Sequence, residues 1–183
     1  MKFYFVRHGE SEANARRCVA DGFSPLTATG RHQSRQTGEQ LNNAGITKIL
    51  SSPYTRALQT AEEIAGVIGY DLNDIIVVDE LKERSFGRLE NGPEVHTTHW
   101  FFANDTGDGF ESHAQVIERC KVALKIIERY ITDDETVLVV GHATYAFFLE
   151  QVAKGRTKYR EFDEPRQLKN AECIEISIHY TGE

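Results

Sequence analysis

Cysteine is scarce in this chain of 183 residues, which contains only Cys18, Cys120 and Cys173. The three are widely separated, their number is odd, and no C-x-x-C pair occurs. The sequence therefore predicts neither a disulfide framework nor a zinc site of the knuckle type. We interpret Cys120 and Cys173 as small residues of the hydrophobic core.

Long apolar runs are missing as well, and no stretch approaches the roughly 20 residues that span a bilayer. The apolar N-terminal run ends at Arg7, which makes it shorter than the core of about 7–15 residues in a signal peptide. We interpret this run as a first β-strand. The expectation is a cytoplasmic protein without a membrane partner.

Positive charge is in deficit, because the chain has 21 lysines and arginines but 28 aspartates and glutamates. Its net charge is −7. Proteins that bind nucleic acid over a broad surface usually carry the opposite sign, so no nucleic-acid partner is expected. An acidic chain binds an anion only where a few cations gather in one pocket. Hydrophobic residues make up 40% of the chain, enough for a packed core, and the length suits one domain over residues 1–183.

Strand-like and helix-like segments alternate along the chain. Short apolar runs predict strands at residues 2–6, 48–51, 75–78, 136–140 and 174–179. Apolar residues at spacings of three and four predict helices at residues 53–68 and 112–131. Two further helices are predicted at residues 29–42 and 147–152. Thr27 suits the N-cap of the helix at 29–42, and Gly69 suits the end of the helix at 53–68. This alternation predicts an α/β layered fold with a mostly parallel sheet, whose last strand has one polar face and lies at an edge.

Chemically active residues follow the predicted strands at the points where these end. Arg7 and His8 follow the first strand, Arg56 and Glu83 lie shortly after the second and third, and His142 follows the fourth. Ligands of parallel sheets bind beyond the carboxyl ends of the strands. We therefore expect these side chains to meet at one edge of the sheet.

The residue types in this group suit phosphoryl transfer. The guanidinium groups of Arg7 and Arg56 match phosphate oxygens, and they oppose protonation of His8, which must be neutral to attack phosphorus. A cationic His142 would add positive charge at the oxygens of the transferring group. Together these groups form a preorganised electrostatic clamp.

Further polar residues complete this predicted site. Glu83 can donate a proton if its surroundings keep it protonated. Ser11 and Asn14 lie just after the first strand and can add neutral hydrogen-bond donors.

Five segments in chain order resemble the signatures of the histidine phosphatase superfamily, the group that contains the cofactor-dependent phosphoglycerate mutases. They are RHGESEAN at residues 7–14, SPLTATG at 24–30, SSPYTRALQTA at 51–61, LKERSFG at 81–87 and VVGH at 139–142. The resemblance covers almost the whole chain. It implies a three-layer α/β/α sandwich with a mostly parallel sheet and one antiparallel edge strand, assigned to residues 174–179.

The resemblance also implies a role for each residue. His8 would be the nucleophile that becomes phosphorylated, and Glu83 would protonate the leaving group and then activate water. The phosphoryl group would be bound by Arg7, Arg56, His142, Asn14, Ser11 and the backbone N–H of Ala143. No metal or other cofactor is expected, and the partner would be a small phosphorylated substrate or a phosphoprotein. Sugar phosphates, nucleotides, phosphoamino acids and protein phosphohistidine all stay open.

The implied activity is that of a metal-independent phosphatase of the histidine acid phosphatase type, and two alternatives stay open. Mutases of the family have a longer chain and extra basic residues after the acidic segment, where this sequence has the acidic stretch 89–94. Arg84 and Arg88 nevertheless keep a phosphoglycerate mutase-type isomerase in consideration. A non-catalytic binder of phosphorylated ligands is the second alternative, although both histidines and Glu83 are present.

The irregular stretch 91–111 is predicted to be a lid, because loops of that length in a compact domain are usually functional or mobile. Its residues Trp100, Phe101 and Phe102 suit either a wall of the substrate pocket or a structural plug. Its pair His96 and His99 lacks the helical spacing and the partners of a metal site, so we interpret it as solvated. Elsewhere, surface positions are predicted for His32, His113 and His179.

Overall fold

A computed structural model describes residues 1–92 and 109–179. Its centre is a five-stranded sheet in the order β3-β2-β4-β1-β5. The strands are β1 (Lys2–Arg7), β2 (Ile46–Ser51), β3 (Ile76–Val77), β4 (Thr136–Gly141) and β5 (Cys173–Ser177). Strand β1 is parallel to β4 and antiparallel to β5, while β2 is parallel to both β3 and β4. The predicted sheet with one antiparallel edge strand is therefore confirmed.

Helices cover both faces of this sheet. They are α1 (Glu12–Ala15), α2 (Ala28–Leu41), α3 (Thr55–Ile68), α4 (His113–Glu128) and α5 (Ala143–Ala153). On β1, Phe3 and Phe5 pack with α4 and α5, whereas Val6 packs with α2 and α3. Successive side chains of a strand point to opposite faces, so one strand serves two apolar cores. The result is the expected three-layer α/β/α sandwich.

Local sequence signals explain where several helices begin and end. The hydroxyl of Thr27 accepts the N–H of Gly30, and Ser112 caps α4 in the same way. Gly69 ends α3 with a φ of 74°, a left-handed conformation that glycine adopts without steric cost. Within the described ranges, no helix is long and apolar enough to cross a membrane.

The beginning of α5 differs from the prediction. It begins at Ala143, not near residue 147, and nearly all of its residues are buried. A helix that is apolar all round has no polar face, so its sequence shows no amphipathic period. The early start matters for function, because it places His142 at the N-cap position, directly before the first residue of the helix.

Two further predictions concern individual side chains. The predicted surface position of His113 is wrong, because the side chain is 9% exposed and stacks on Tyr159 with ring centroids 3.7 Å apart. Cys120 is buried as expected, while Cys173 on the edge strand is half-buried.

The predicted lid falls mainly on residues 93–108, which lie outside the described part of the chain. This range holds the aromatic cluster of Trp100 and the pair of His96 and His99. The described flanks are tied to the domain: Val19 and Asn91 are hydrogen-bonded through their backbones, and Glu111 donates its N–H to the carbonyl of Ser85.

Candidate active site

The two motif histidines lie side by side because β1 and β4 are neighbours in the sheet. Arg7 pairs in register with Gly141, and the backbone N–H of His8 donates to the Gly141 carbonyl at 2.9 Å. Each strand then delivers its next residue to the same edge. The imidazole centroids of His8 and His142 are consequently 5.3 Å apart.

A close approach of two glycines fixes the loop that carries His8. A Cβ atom on Gly9 would lie 2.3 Å from the carbonyl oxygen of Gly30, a distance that backbone atoms cannot accommodate. The N–H of Gly9 also donates to the hydroxyl of Thr60 at 3.0 Å. These contacts explain why glycine follows the histidine, and they hold the His8 backbone in one place.

The hydrogen bonds of His8 define its protonation. Its Nδ1 lies 2.7 Å from the Gly9 carbonyl oxygen, and only an N–H can satisfy that acceptor. Burial lowers the pKa of His8 well below its ordinary value, and the charges of Arg56 and Arg7 lower it further. The ring is therefore neutral, and Nε2 carries the lone pair. This nitrogen accepts a hydrogen bond from Nε of Arg56 at 3.2 Å.

Arg56 and Arg7 place two guanidinium groups beside that imidazole. Arg56 lies in the first turn of α3, is only 2% exposed, and donates to the carbonyl oxygen of Asp21. Its guanidinium carbon lies 5.1 Å from the centroid of the Tyr54 ring. Arg7 donates to the carbonyl of Leu168. These carbonyl groups orient both guanidiniums and carry no charge themselves, and two guanidiniums beside one imidazole suit an anion.

Glu83 is held by the first turn of α5. Its Oε1 accepts from the backbone N–H groups of Arg84 at 2.9 Å and Tyr145 at 2.8 Å, and its Oε2 accepts from Thr144 at 3.2 Å. Burial raises the pKa of this carboxyl group, although these donors and Arg56 oppose the rise. Oε2 receives fewer and longer hydrogen bonds than Oε1, so it is the better position for a proton.

His142 occupies the N-cap position of α5 without a capping hydrogen bond from its side chain, and it is fully buried. Its Nε2 lies 2.8 Å from the hydroxyl oxygen of Ser52. Burial is the largest cause that lowers its pKa well below the ordinary value, followed by the charge of Arg56. In the ligand-free site these causes favour a neutral His142, because a charge there would be desolvated beside a buried guanidinium. The conditional role of a cationic His142 therefore finds no support in this site.

Asn14 and Ser11 have different positions. Ser11 caps the short helix α1, and its hydroxyl accepts the N–H of Asn14 at 3.2 Å. The Oδ1 of Asn14 accepts from the N–H of Ser11 and from Nδ2 of Asn170, both at 3.2 Å. Its own Nδ2 is therefore the group that can donate to a ligand. Ser11 supports this side chain from a fully buried position.

These side chains surround a cavity of about 60 Å³. The predicted site residues that line it are Arg7, His8, Asn14, Arg56, Glu83 and Ala143. Among the described residues, His142 and Ser11 are not part of this lining. Ala143 is the first residue of α5, where backbone N–H groups have no acceptor within the helix.

Sequence patterns assign no role to several other residues of the site. Gln167 and Phe86 also line the cavity, and Asn170 supports Asn14 from the loop before β5. That loop has no recognisable motif, so only the fold brings it to the site. Ser52 lies inside a matched motif, but its contact with His142 depends on the order of β2 and β4 in the sheet.

One buried and one half-buried arginine lie outside the cavity. Arg84 is 1% exposed, and its Nε donates to the carbonyl of Glu111 at 2.8 Å. Arg119 forms a two-point ion pair with Glu111, at 2.8 and 2.6 Å. It also donates to three carbonyls on the segment that leads to the acid, those of Glu80, Lys82 and Glu83. Arg119 thus supports the acidic residue from behind.

The donor set is that of an anion site. Within residues 1–92 and 109–179, no group of three or more His, Cys, Asp or Glu side chains is close enough to hold a metal ion. Positive charge at the cavity comes from Arg7 and Arg56. A bound phosphoryl group would meet these guanidiniums, the amide of Asn14 and a neutral imidazole.

Comparisons with known proteins identify the family of this chain. The protein from Proteus mirabilis named "Probable phosphoglycerate mutase GpmB" is 45% identical over 192 residues, covering 98% of this chain and 85% of the relative. Two solved structures share the fold. A mycobacterial glucosyl-3-phosphoglycerate phosphatase in complex with VO3 is 21% identical with a TM-score of 0.79, covering 98% of this chain and 92% of the other.

The second structure is a phosphoserine phosphatase from Entamoeba histolytica in complex with 3-phosphoglyceric acid. It is 24% identical with a TM-score of 0.71, and 95% of this chain matches 89% of that one. A family model described as the histidine phosphatase superfamily (branch 1) matches residues 3–182. The chain therefore belongs to the histidine phosphatase superfamily.

Proposed function

We propose that the protein is a phosphomonoester hydrolase that works through a phosphohistidine on Nε2 of His8. The observation that carries this proposal is the protonation of His8: Nδ1 donates to the Gly9 carbonyl, and the bare Nε2 lies beside Arg56. A neutral imidazole with its lone pair at an arginine-lined cavity is the form that attacks phosphorus. Glu83 lines the same cavity as the proton donor.

In the first step, Nε2 of His8 attacks phosphorus and an N–P bond forms. The bond from phosphorus to the ester oxygen breaks, and that oxygen takes its electron pair together with the proton on Oε2 of Glu83. Arg7 and Arg56 bind the oxygens of the transferring group and stabilise the charge spread over them. The products are a free alcohol and the phosphoenzyme.

In the second step, water attacks the phosphorus of phosphohistidine. Glu83 is now a carboxylate, and it takes one proton from this water. The N–P bond breaks, its electron pair returns to Nε2 of His8, and inorganic phosphate leaves. Both residues then have their starting protonation, so each turnover needs only the ester and water.

A phosphoglycerate mutase-type isomerase is the second candidate, because the Proteus mirabilis relative carries that name. A mutase must hold a second anionic group of its substrate. Arg84 is unsuited to this, since it is buried between the rings of Phe86 and Phe148 at 6.0 and 5.9 Å and lies outside the cavity lining. This burial removes one of the two arginines that keep an isomerase in consideration, and leaves Arg88 as the other.

Phosphate release from a panel of phosphorylated metabolites and phosphopeptides tests the proposal. We expect steady release from at least one small ester without any phosphorylated primer, and none from the His8→Ala variant. Product analysis by ³¹P NMR separates the alternatives. A primer-dependent isomer without free phosphate would establish a mutase, and saturable binding of a phosphorylated ligand without turnover would establish a binder.

A further inference from the structure

A hydroxyl group lies directly against the second histidine, at a position that the proposed mechanism does not use. The Oγ atom of Ser52 is 2.8 Å from Nε2 of His142. Both side chains are fully buried. Ser52 directly follows β2, the neighbour of β4 in the sheet, so the contact is set by strand order. Water does not compete for a hydrogen bond in such a position.

The surroundings of the hydroxyl indicate the direction of this hydrogen bond. The Oγ atom of Ser52 already accepts the backbone N–H of Tyr54 at 3.3 Å. Among the described residues, Nε2 of His142 is the only acceptor within reach of the hydroxyl hydrogen. The O–H group therefore donates to Nε2. A neutral imidazole has a single N–H, and in this arrangement it lies at Nδ1.

The other ring nitrogen of His142 has no hydrogen-bond partner among the described residues. Its Nδ1 is buried, and no acceptor for it exists within the described ranges. Buried polar atoms nearly always have a partner, so an orphan of this kind indicates a missing ligand atom. The centroid of the ring lies 5.3 Å from that of His8, the residue that would carry phosphorus.

We propose that Ser52 is a positioning residue that fixes the tautomer of His142 whose Nδ1–H donates to a phosphoryl oxygen. The inference rests on the proposed phosphohistidine chemistry for its consequence, but the tautomer itself is a property of the free protein. In the opposite tautomer, Nε2–H would donate to Ser52 and the lone pair of Nδ1 would face the phosphoryl oxygens. That arrangement would repel the transferring group.

NMR of the wild-type protein labelled with ¹⁵N-histidine tests the tautomer without any substrate. We expect a protonated Nδ1 and an unprotonated Nε2 for His142 in the ligand-free protein. Inorganic phosphate, added as the probe, should shift the Nδ1–H resonance. A signal from the Nε2-protonated tautomer would overturn the proposal. Absence of turnover on every ester would instead overturn the proposed function, and it would leave this measurement intact.

Variants test the consequence for catalysis. Deleting one preorganised donor outright lowers kcat by about 10²–10³. Ser52→Ala keeps the imidazole of His142 but removes the hydroxyl that orients it, so it should lower kcat by at least about tenfold. Ser52→Thr restores a hydroxyl and should recover most of that loss. The matched control is Ser51→Ala, because Ser51 is equally buried and its hydroxyl donates to a backbone carbonyl, that of Ser52.

A double-mutant cycle separates positioning from mere packing. In a His142→Ala background the hydroxyl has no imidazole to orient, so Ser52→Ala should cause no further loss of kcat. An equal loss in both backgrounds would show that Ser52 acts through packing and would overturn the proposal. A loss from Ser51→Ala as large as that from Ser52→Ala would also contradict it.

Discussion

Arg56 donates a hydrogen bond from Nε to Nε2 of His8 at 3.2 Å. The acceptor is the lone pair that would attack phosphorus. In the ligand-free site this lone pair is therefore engaged in a hydrogen bond with Arg56. Both side chains are nearly inaccessible, at 2% and 4% exposure. The anionic oxygens of a substrate would have to draw the guanidinium away before attack. Arg56 thus opposes protonation of His8 in the ligand-free site, and in the proposed mechanism it would bind the phosphoryl group of the substrate.

The first prediction concerns the Arg56→Gln variant. Its glutamine carries no charge, so the pKa of His8, which Arg56 helps to hold well below its ordinary value, should rise. Protonation removes the attacking lone pair, and a higher pKa extends the protonated form to higher pH. The acid limb of the rate profile should therefore move toward neutral pH. Titration of the His8 resonances by NMR measures the same shift directly.

The control for this variant is Arg35→Gln. Arg35 is 46% exposed and pairs with Glu63 on the surface. Its removal should leave the pKa of His8 and the acid limb unchanged. Equal shifts in both variants would mean that overall charge, not the contact of Arg56, sets the protonation of His8.

The second prediction concerns the covalent intermediate. Rapid quenching with ³²P-labelled substrate should trap a phosphoenzyme that is labile in acid and stable in base, as a phosphoramidate on histidine is. His8→Ala lacks the attacking Nε2 and should give no labelled protein. A labelled protein that persists in His8→Ala would refute the assignment of the nucleophile.

The third prediction concerns the leaving group. Glu83→Gln cannot donate a proton, so hydrolysis of alkyl phosphates should slow by about 10²–10⁴ in kcat. An activated aryl phosphate needs little protonation and should lose much less. Comparison of the two substrate classes measures the difference. An equal loss on both would mean that Glu83 only orients its neighbours.

The pH profile gives Glu83 an independent signature. Its pKa is raised from the ordinary value by burial, and only its protonated form acts as the acid. The rate of alkyl phosphate hydrolysis should therefore fall as pH rises through this raised pKa. In Glu83→Gln that alkaline limb should disappear, while the acid limb set by His8 stays in place.

Much of the fold can be predicted from the sequence because its strands and helices have strong local signals. The strand at Thr136–Gly141 is a continuous apolar run, and the helix Ala28–Leu41 has its cap at Thr27. The start of α5 has no such signal, because its first turn is buried on every side. The predicted surface position of His113 is wrong for a related reason: a histidine at a helix N-terminus suits a surface, and the burial against Tyr159 depends on the fold.

The site was predictable only in its principal residues. Arg7, His8, Arg56, Glu83 and His142 each follow a strand, so the rule for parallel sheets brings them together. Their protonation depends on burial and on exact partners, which no sequence pattern shows. The contacts of Ser52 and Asn170 depend on strand order and on a loop remote in sequence.

The fourth prediction concerns metals. In the proposed mechanism Arg7 and Arg56 supply positive charge to the cavity, and Glu83 donates and accepts the proton. A divalent cation is therefore not needed for either role. Activity should be unchanged after dialysis against EDTA. Loss of activity on chelation, with recovery on adding back one particular metal, would point to a metallohydrolase built on the two histidines.

The last prediction concerns Arg119, the support behind the acid. Its two-point pair with Glu111 is shielded, with side chains 20% and 14% exposed. Arg119→Met keeps much of the apolar stem but leaves the carboxylate unpaired, which should lower the free energy of unfolding by about 2 kcal/mol. It also removes the donors that hold the backbone up to Glu83, so kcat on alkyl phosphates should fall more than kcat on an aryl phosphate.

Lys121→Met is the matched control for this variant. Lys121 lies on the same helix and pairs with Glu118, but the two side chains are 37% and 70% exposed. Exposed pairs of this kind contribute about 0–1 kcal/mol, so chemical denaturation should show little change, and the ratio of the two activities should stay constant. If Arg119→Met lowers stability but leaves that ratio as it is in Lys121→Met, Arg119 stabilises the fold without positioning Glu83. A changed ratio with little loss of stability would instead place its main effect on the acid.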